Sequence, residues 1–503
     1  MNDLSDRSTS ARARPGRRRR APLALAALAL LTALLPASSA SANTTQPTML
    51  QDDGALIYGS QTLRASRLDE LRSLGVDIVK VRVRWRDLAF GKKKPGGDLS
   101  NPAAYPASRW APYDAIVRGA ADRGMGVLFQ LGGTAPDWAT PGPSPVNRPN
   151  PAEFGKFVKA VGTRYSGSYS DGGSGGYADP LIPAVTLWSV WNEPNLVSWL
   201  SPQVSGGVPQ APRIYRGLLN AAAAGLAASG HGNNQLLLGE LLPFTRTTRS
   251  TSKKLRPLAF LRELACVDSH YRPFRGSAAK KRGCTGFKAL PGTGLAYHPY
   301  TLAGGPGVPT PNPDDASIAN LSRVTIALDR LGARGRLKTR RMPVWITEFG
   351  FQSRPPDPYA TPLAKIPGFM GWSEWIAFKN PRVVSYSQYP LVDDPGSRSG
   401  FQSGLRFHNG KKKPGVFDAF ARPLYARKSG SRVELFGGVR AASGGSVQLQ
   451  TRTSKKGKWT SLGNAALNSR GYFDKRVKVT AVSKRYFRFV GNGTASRAAK
   501  VGG

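Results

Sequence analysis

Short apolar runs with strand character recur along most of this chain, separated by longer stretches in which apolar residues return every three or four positions. The strand-like runs fall at 55–59 (ALIYG), 77–85 (DIVKVRVRW), 126–131 (GVLFQL), 184–190 (AVTLWSV), 235–241 (QLLLGEL), 294–300 (GLAYHPY), 343–351 (PVWITEFGF) and 381–391 (PRVVSYSQYPL). Between them the helical spacing predicts helices near 63–74, 113–123, 151–165, 212–228, 315–331 and 372–378, with a closing helix at 416–424. The first has Leu68, Leu71 and Leu74 on one face and Gly75 placed to cap its end. Strands alternating with helices imply right-handed βα units and a parallel sheet. Eight such units between 55 and 424 predict a (β/α)8 TIM barrel. An open doubly wound sheet is the alternative. The barrel is preferred because polar residues gather after many strands rather than at one switch point. From 428 onward the helical period disappears, and short β runs at 433–436, 446–452, 459–462, 471–477 and 485–490 predict a small all-β sandwich.

The first residues do not follow this rhythm. An arginine-rich segment at 12–20, an apolar run at 21–36 and Ala40-Ser41-Ala42 have the pattern of a secretory signal peptide. The apolar run is shorter than the ~20 residues a spanning helix needs. The expected organisation is a leader at 1–42, a barrel at 43–427 and a β-sandwich at 428–503, in a secreted chain with no membrane span after cleavage; an uncleaved anchor is the competing reading. The only two cysteines, Cys266 and Cys284, flank a short basic stretch, and in an oxidising compartment they are expected to form a disulfide. Two cysteines without histidine partners do not make a zinc site.

A formal charge of +42 changes the choice of partners. The sandwich alone holds sixteen lysines and arginines against Glu434 and Asp474. No recognition helix, finger or RNA-binding signature accompanies the charge, so nucleic acid is not expected. Anionic wall polymers or acidic polysaccharides are the candidate partners, against the alternative of a generally basic, soluble surface.

Two of the apolar runs end in a carboxylate. AVTLWSVWNEPN delivers Glu193 after the fourth strand and PVWITEFGF delivers Glu348 after the seventh, in a chain with only eight glutamates. Residues at the C-terminal ends of barrel strands share one mouth. Two carboxyls flanking a glycosidic bond, one protonated and one ionised, supply what its hydrolysis needs.

At these residues the chain resembles the clan of retaining (β/α)8 glycoside hydrolases that includes the cellulase-type family 5 and the β-xylosidase-type family 39. The resemblance rests on Asn192-Glu193-Pro194 at strand four and Thr347-Glu348-Phe349-Gly350 at strand seven, and spans 55–424. It implies that Glu193 is the acid/base, Glu348 the nucleophile and Asn192 the partner of the sugar 2-hydroxyl. It also implies that His298 and Tyr300 line the site, with the tyrosine donating to the nucleophile. Two positions depart from the clan. Lys80 stands about where an arginine is common, with Arg82 and Arg84 on the same strand face. The eighth strand offers Tyr386, Gln388 or Tyr389 where a tryptophan is common.

Other residues read from their own chemistry. Trp138 and Trp199 are candidate stacking platforms for a sugar, or plain packing; Trp188 and Trp345 are expected in the core. Glu240 ends the fifth strand but is left outside the catalytic set. His231 and His408 are expected on the surface, and Asp393 and Asp394 at a turn or near a hydroxyl. The sequence therefore predicts a secreted retaining hydrolase of β-glycosidic bonds in a carbohydrate, requiring no metal or organic cofactor. The alternatives are an inactive glycan- or wall-binding protein on the same barrel, and a transglycosylase.

Overall fold

The computed structural model describes residues 46–502 apart from 90–92, 174–178, 244–253, 302–303, 359 and 397–399; the expected leader at 1–42 lies outside the described residues. Eight parallel strands close into a barrel in sequential order: β1 (Thr48–Gln51), β2 (Ile78–Val83), β3 (Gly126–Leu131), β4 (Leu187–Val190), β5 (Gln235–Leu241), β6 (Gly294–Tyr297), β7 (Val344–Ile346) and β8 (Val383–Gln388). Each is followed by a helix: α1 (Gln61–Ser73), α2 (Ala107–Asp122), α3 (Pro151–Arg164), α4 (Ala211–Ala227), α5 (Pro257–Leu264), α6 (Ser322–Ala333), α7 (Ile366–Phe378) and α8 (Val416–Ala421). β1 pairs with β8 at Thr48 and Tyr386, which closes the ring.

The first strand is not the one expected. ALIYG contributes to a helical turn, Asp53–Leu56, and the strand is TMLQ just before it. All four residues of β1 are buried, so it carries no alternation to read.

The lumen explains why the strands look as they do. Met49, Leu128, Leu187, Leu237 and Ala296 form an apolar plug at its lower end, with Ile78 and Trp345 against it. Gly294 makes room for that indole, since a Cβ there would lie 2.7 Å from the Trp345 ring. Above the plug the inward positions become polar: Lys80, Gln130, Ser189, His298 and Thr347, all 0% exposed. Outside the ring, the apolar faces of strands and helices make one large core that includes Trp85, Phe129, Phe154, Trp188 and Tyr215. His231, expected on the surface, is buried in it: its ring lies 4.8 Å from Trp188 and its Nε2 2.9 Å from the Gly162 carbonyl oxygen.

The C-terminal β region is a pair of antiparallel sheets. One holds β9 (Leu424–Ser429), β10 (Arg432–Gly438) and β13 (Tyr472–Lys478); the other holds β11 (Ser446–Arg452), β12 (Thr460–Ala466), β14 (Tyr486–Gly491) and β15 (Thr494–Ala495). Their facing sides share a core of Leu435, Val447, Leu449, Phe473, Phe487 and Phe489. The three-stranded sheet turns its other side to α7, where Phe378 meets Phe436 and Tyr472, and Trp372 stacks on Tyr425. At this junction the Arg440 guanidinium donates to both oxygens of Glu374 at 2.8 Å, to the Tyr472 hydroxyl at 3.0 Å and to the Thr48 hydroxyl.

Cys266 and Cys284 form a disulfide with a Cα–Cα distance of 5.6 Å. Replacing both by serine is expected to cost about 3 kcal/mol for a loop of this size. Chemical denaturation checks this, and an unchanged midpoint would contradict it. Among the described residues no helix is long and apolar enough to cross a membrane.

Candidate active site

The backbone after β4 takes up a strained path. Trp191 and Glu193 have φ of 67° and 35°, a region that non-glycine residues seldom enter, and Glu240 at the end of β5 has φ 52°. The surroundings hold this shape in place. The Trp191 amide donates to Leu131 O at 2.8 Å, and its indole donates to Trp199 O at 2.7 Å. The ring lies where a Cβ on Gly132 would be, 2.7 Å away, so only glycine fits beneath it. The Glu193 amide donates to Glu240 O at 2.9 Å, which fastens the two strand ends together. Asn195 extends the seam, accepting from Leu242 N at 3.0 Å and donating to Leu242 O at 3.0 Å.

The side chains converge above the polar lumen. One carboxylate oxygen each from Glu193 and Glu348 and one ring nitrogen of His298 lie within 4.8 Å of one another. His298 Nδ1 is 3.1 Å from Glu193 Oε1 and 3.5 Å from Glu348 Oε2, and its Nε2 is 2.6 Å from Glu240 Oε2. Lys80 Nζ bridges Glu240 at 3.0 Å and Glu348 at 3.1 Å. Arg82 reaches Glu348 at 3.6 Å, and the Tyr300 hydroxyl donates to Glu348 at 3.3 Å. Asn192 Oδ1 accepts from Gln130 Nε2 at 2.8 Å; no hydrogen bond from its Nδ2 occurs among the described residues.

The two carboxylates sit in unlike surroundings. Burial pushes the Glu348 carboxyl up, but His298, Lys80 and Arg82 outweigh burial and the Glu240 charge and hold it below the ordinary carboxylate range. Burial pushes Glu240 up too; Lys80, His298 and the Ser189 hydroxyl hold it far below. For His298 burial disfavours the charge, yet Glu348, Glu193 and Glu240 raise it to about 9. At neutral pH both ring nitrogens therefore donate. A group raised from ~6.5 stabilises the fold fully below that pH and loses the contribution as pH climbs through 9. The stability gap between the wild type and His298→Gln is accordingly expected to be widest near pH 6 and to shrink, by on the order of 3 kcal/mol, toward pH 10. A gap flat over that range, read by denaturation, would refute the charged histidine.

Other candidates lie elsewhere. Trp138 packs edge-on against Trp85 at 5.9 Å with Lys94 over its face, and none of its described contacts reaches the carboxylates. Trp199 lies under the Arg82 guanidinium at 4.9 Å. The Gln388 amide donates to Ser403 O at 2.7 Å and to Pro390 O at 3.2 Å, holding the loop after β8. Tyr386 faces α7 through Ser373 at 2.8 Å. Tyr389 instead lines a cavity of about 450 Å³ with Arg82, Asp52, Asp53 and Tyr58. Arg84 turns away to the Tyr58 hydroxyl at 3.0 Å.

The site expected from sequence lacks Glu240, Gln130 and Ser189, and includes Thr347 only as part of the Thr347-Glu348-Phe349-Gly350 motif, without a role. The signal for Glu240 was its position at a strand end; the three neutral residues are inward-facing polar positions in otherwise apolar strands. Glu193, His298 and Glu348 could also form a metal ligand set. However, the cations of Lys80 and Arg82 beside Glu348 oppose a metal ion there.

No protein-family model matches the chain, and no curated protein matches its sequence. Among solved structures it is similar to a family 39 glycoside hydrolase from Bacteroides cellulosilyticus WH2, at 13% identity and TM-score 0.49 over 90% of this chain and 82% of that one. It is also similar to a monomeric β-xylosidase from Caulobacter crescentus CB15, at 14% identity and TM-score 0.48 over 87% and 95%. A family 30 endoxylanase from Clostridium papyrosolvens C71 matches at 12% identity and TM-score 0.44 over 91% and 98%. At these values the function has to be read from the site's own residues.

Proposed function

We propose that this chain is a retaining glycoside hydrolase that cleaves β-glycosidic bonds of an oligo- or polysaccharide by double displacement. The observation that carries the reading is the carboxylate pair within 4.8 Å, with Lys80 and Arg82 both set against Glu348. A separation near 5 Å suits direct attack by a carboxylate, whereas an inverting pair stands farther apart to admit water.

Glu348, kept ionised by Lys80, Arg82 and His298 and positioned by Tyr300, attacks the anomeric carbon. Glu193 gives its proton to the departing oxygen. The glycosyl ester on Glu348 then meets a water that Glu193 deprotonates, which restores both groups. Asn192 offers its Nδ2 to the sugar 2-hydroxyl. The disulfide and the expected leader support an exported enzyme.

The test is stereochemical. Proton NMR of the first products from a β-aryl glycoside or β-linked oligosaccharide is expected to show the β-anomer ahead of mutarotation. First-formed α-anomer would overturn the retaining route, and glycan binding without product would favour the binding-protein reading. Longer oligosaccharides appearing in the same spectra would identify a transglycosylase.

A further inference from the structure

We propose that the outer face of the four-stranded sheet β12-β11-β14-β15 is a binding surface for an acidic polysaccharide. Val447, Leu449, Phe487 and Phe489 on this sheet point into the sandwich core, so the alternate residues of β11 and β14 face outward. On that outer side two guanidiniums, Arg452 and Arg488, lie over the Trp459 ring, each 4.3 Å from its centre. Tyr486 continues the row, with Arg452 at 5.5 Å and Lys500 at 4.8 Å. Arg488 Nε donates to Gln450 Oε1 at 2.8 Å, and Gln450 Nε2 donates to Gln448 Oε1 at 2.6 Å. Register pairs Gln450 with Arg488 and Arg452 with Tyr486, so the row is contiguous.

Among the described residues, no carboxylate forms an ion pair with Arg452, Arg488 or Lys500. The two acids after residue 427, Glu434 and Asp474, lie on the other sheet. There Lys379 of the barrel engages them, at 3.1 and 2.7 Å. Lys455, Lys456 and Lys458, exposed on the loop before Trp459, add to the excess.

The chemistry of the row selects the partner. Guanidiniums held over an indole are restrained and offer several N–H donors, which suits bidentate contact with carboxylate or sulfate. The amides of Gln448 and Gln450 are suited to hydroxyls. The Trp459 ring already carries two guanidiniums, which compete with the nucleobase stacking that single-stranded nucleic acids require. The choice of a polysaccharide also rests on the reading of the barrel as a glycosidase; the uncompensated charge does not.

Truncation is a poor test, because it would strip Arg440 from Glu374 and bare the aromatic residues of α7. The full chain is used instead, with Arg452→Gln/Arg488→Gln and, separately, Arg452→Lys/Arg488→Lys. Binding to polygalacturonate, dextran sulfate, neutral dextran and single- and double-stranded DNA is measured at low and high salt. The wild type is expected to bind the acidic polysaccharides, to ignore neutral dextran and to hold DNA at least about tenfold more weakly. The glutamine pair is expected to lose about tenfold or more of that affinity and the lysine pair a smaller part, with melting temperature and hydrolysis of a short neutral substrate unchanged. Undiminished binding by the glutamine pair, wild-type binding by the lysine pair, or DNA held as tightly as the polysaccharides would each overturn the proposal. A barrel that hydrolyses nothing, with binding still lost in the glutamine pair, would remove the enzymatic reading and leave the surface standing.

Discussion

Glu348→Ala is expected to lower turnover of an unactivated β-glycoside by about four orders of magnitude or more. The variant has no group to form the covalent ester, and Lys80 and Arg82 are left facing an empty position. Changing the leaving group does not help it. Glu193→Ala should behave differently. On a natural substrate it should fall by a similar factor, because the departing sugar oxygen needs a proton. On a dinitrophenyl glycoside, whose phenolate departs unaided, the first step should survive and glycosyl-enzyme should accumulate, visible as a burst and as added mass on the intact protein. Wild-type rates in either variant on the natural substrate, or the same leaving-group profile in both, would refute the assignment of roles.

Glu240→Gln is expected to be the most damaging single change away from the reacting atoms. Glu240 is fully buried and accepts from Lys80 at 3.0 Å, His298 at 2.6 Å, Ser189 at 2.5 Å and Thr347 at 2.7 Å. An amide of the same shape cannot accept all four and carries no charge. Two buried cations then lose a partner, and breaking a buried pair in this way costs roughly 3–5 kcal/mol. Denaturation should show that loss. Activity should fall as well, because the His298 ring that contacts Glu193 and Glu348 is held from behind by Glu240. A Glu240→Gln protein with wild-type melting and kcat would show that the cluster does not need the third carboxylate.

Much of this was legible along the chain because local patterns fix it. An apolar run broken by Asn-Glu-Pro or Thr-Glu-Phe-Gly marks a buried strand presenting a carboxylate, and the helix spacing between such runs orders the strands. What escaped reading is set by meetings far apart in sequence. Glu240 lies in QLLLGEL with nothing local to show that Lys80 and His298 converge on it. Glu374, in the helical stretch GWSEWIAF, gives no local sign that it is buried, yet it is paired with Arg440 from the sandwich. TMLQ is a short strand buried on both faces and so has no period to read, and Trp138, in a loop by sequence, packs on Trp85. Lys80 was placed correctly on its strand, but its two carboxylate partners depend on barrel closure.

The Arg440 side chain joins an early and a late segment of the polypeptide in time as well as in space. Thr48, which it holds, starts the strand that must meet β8 for the ring to close, while Arg440 itself leaves the ribosome 392 residues later. A chain emerging N-terminus first therefore carries an unclamped seam until the segment bearing Arg440 has been made.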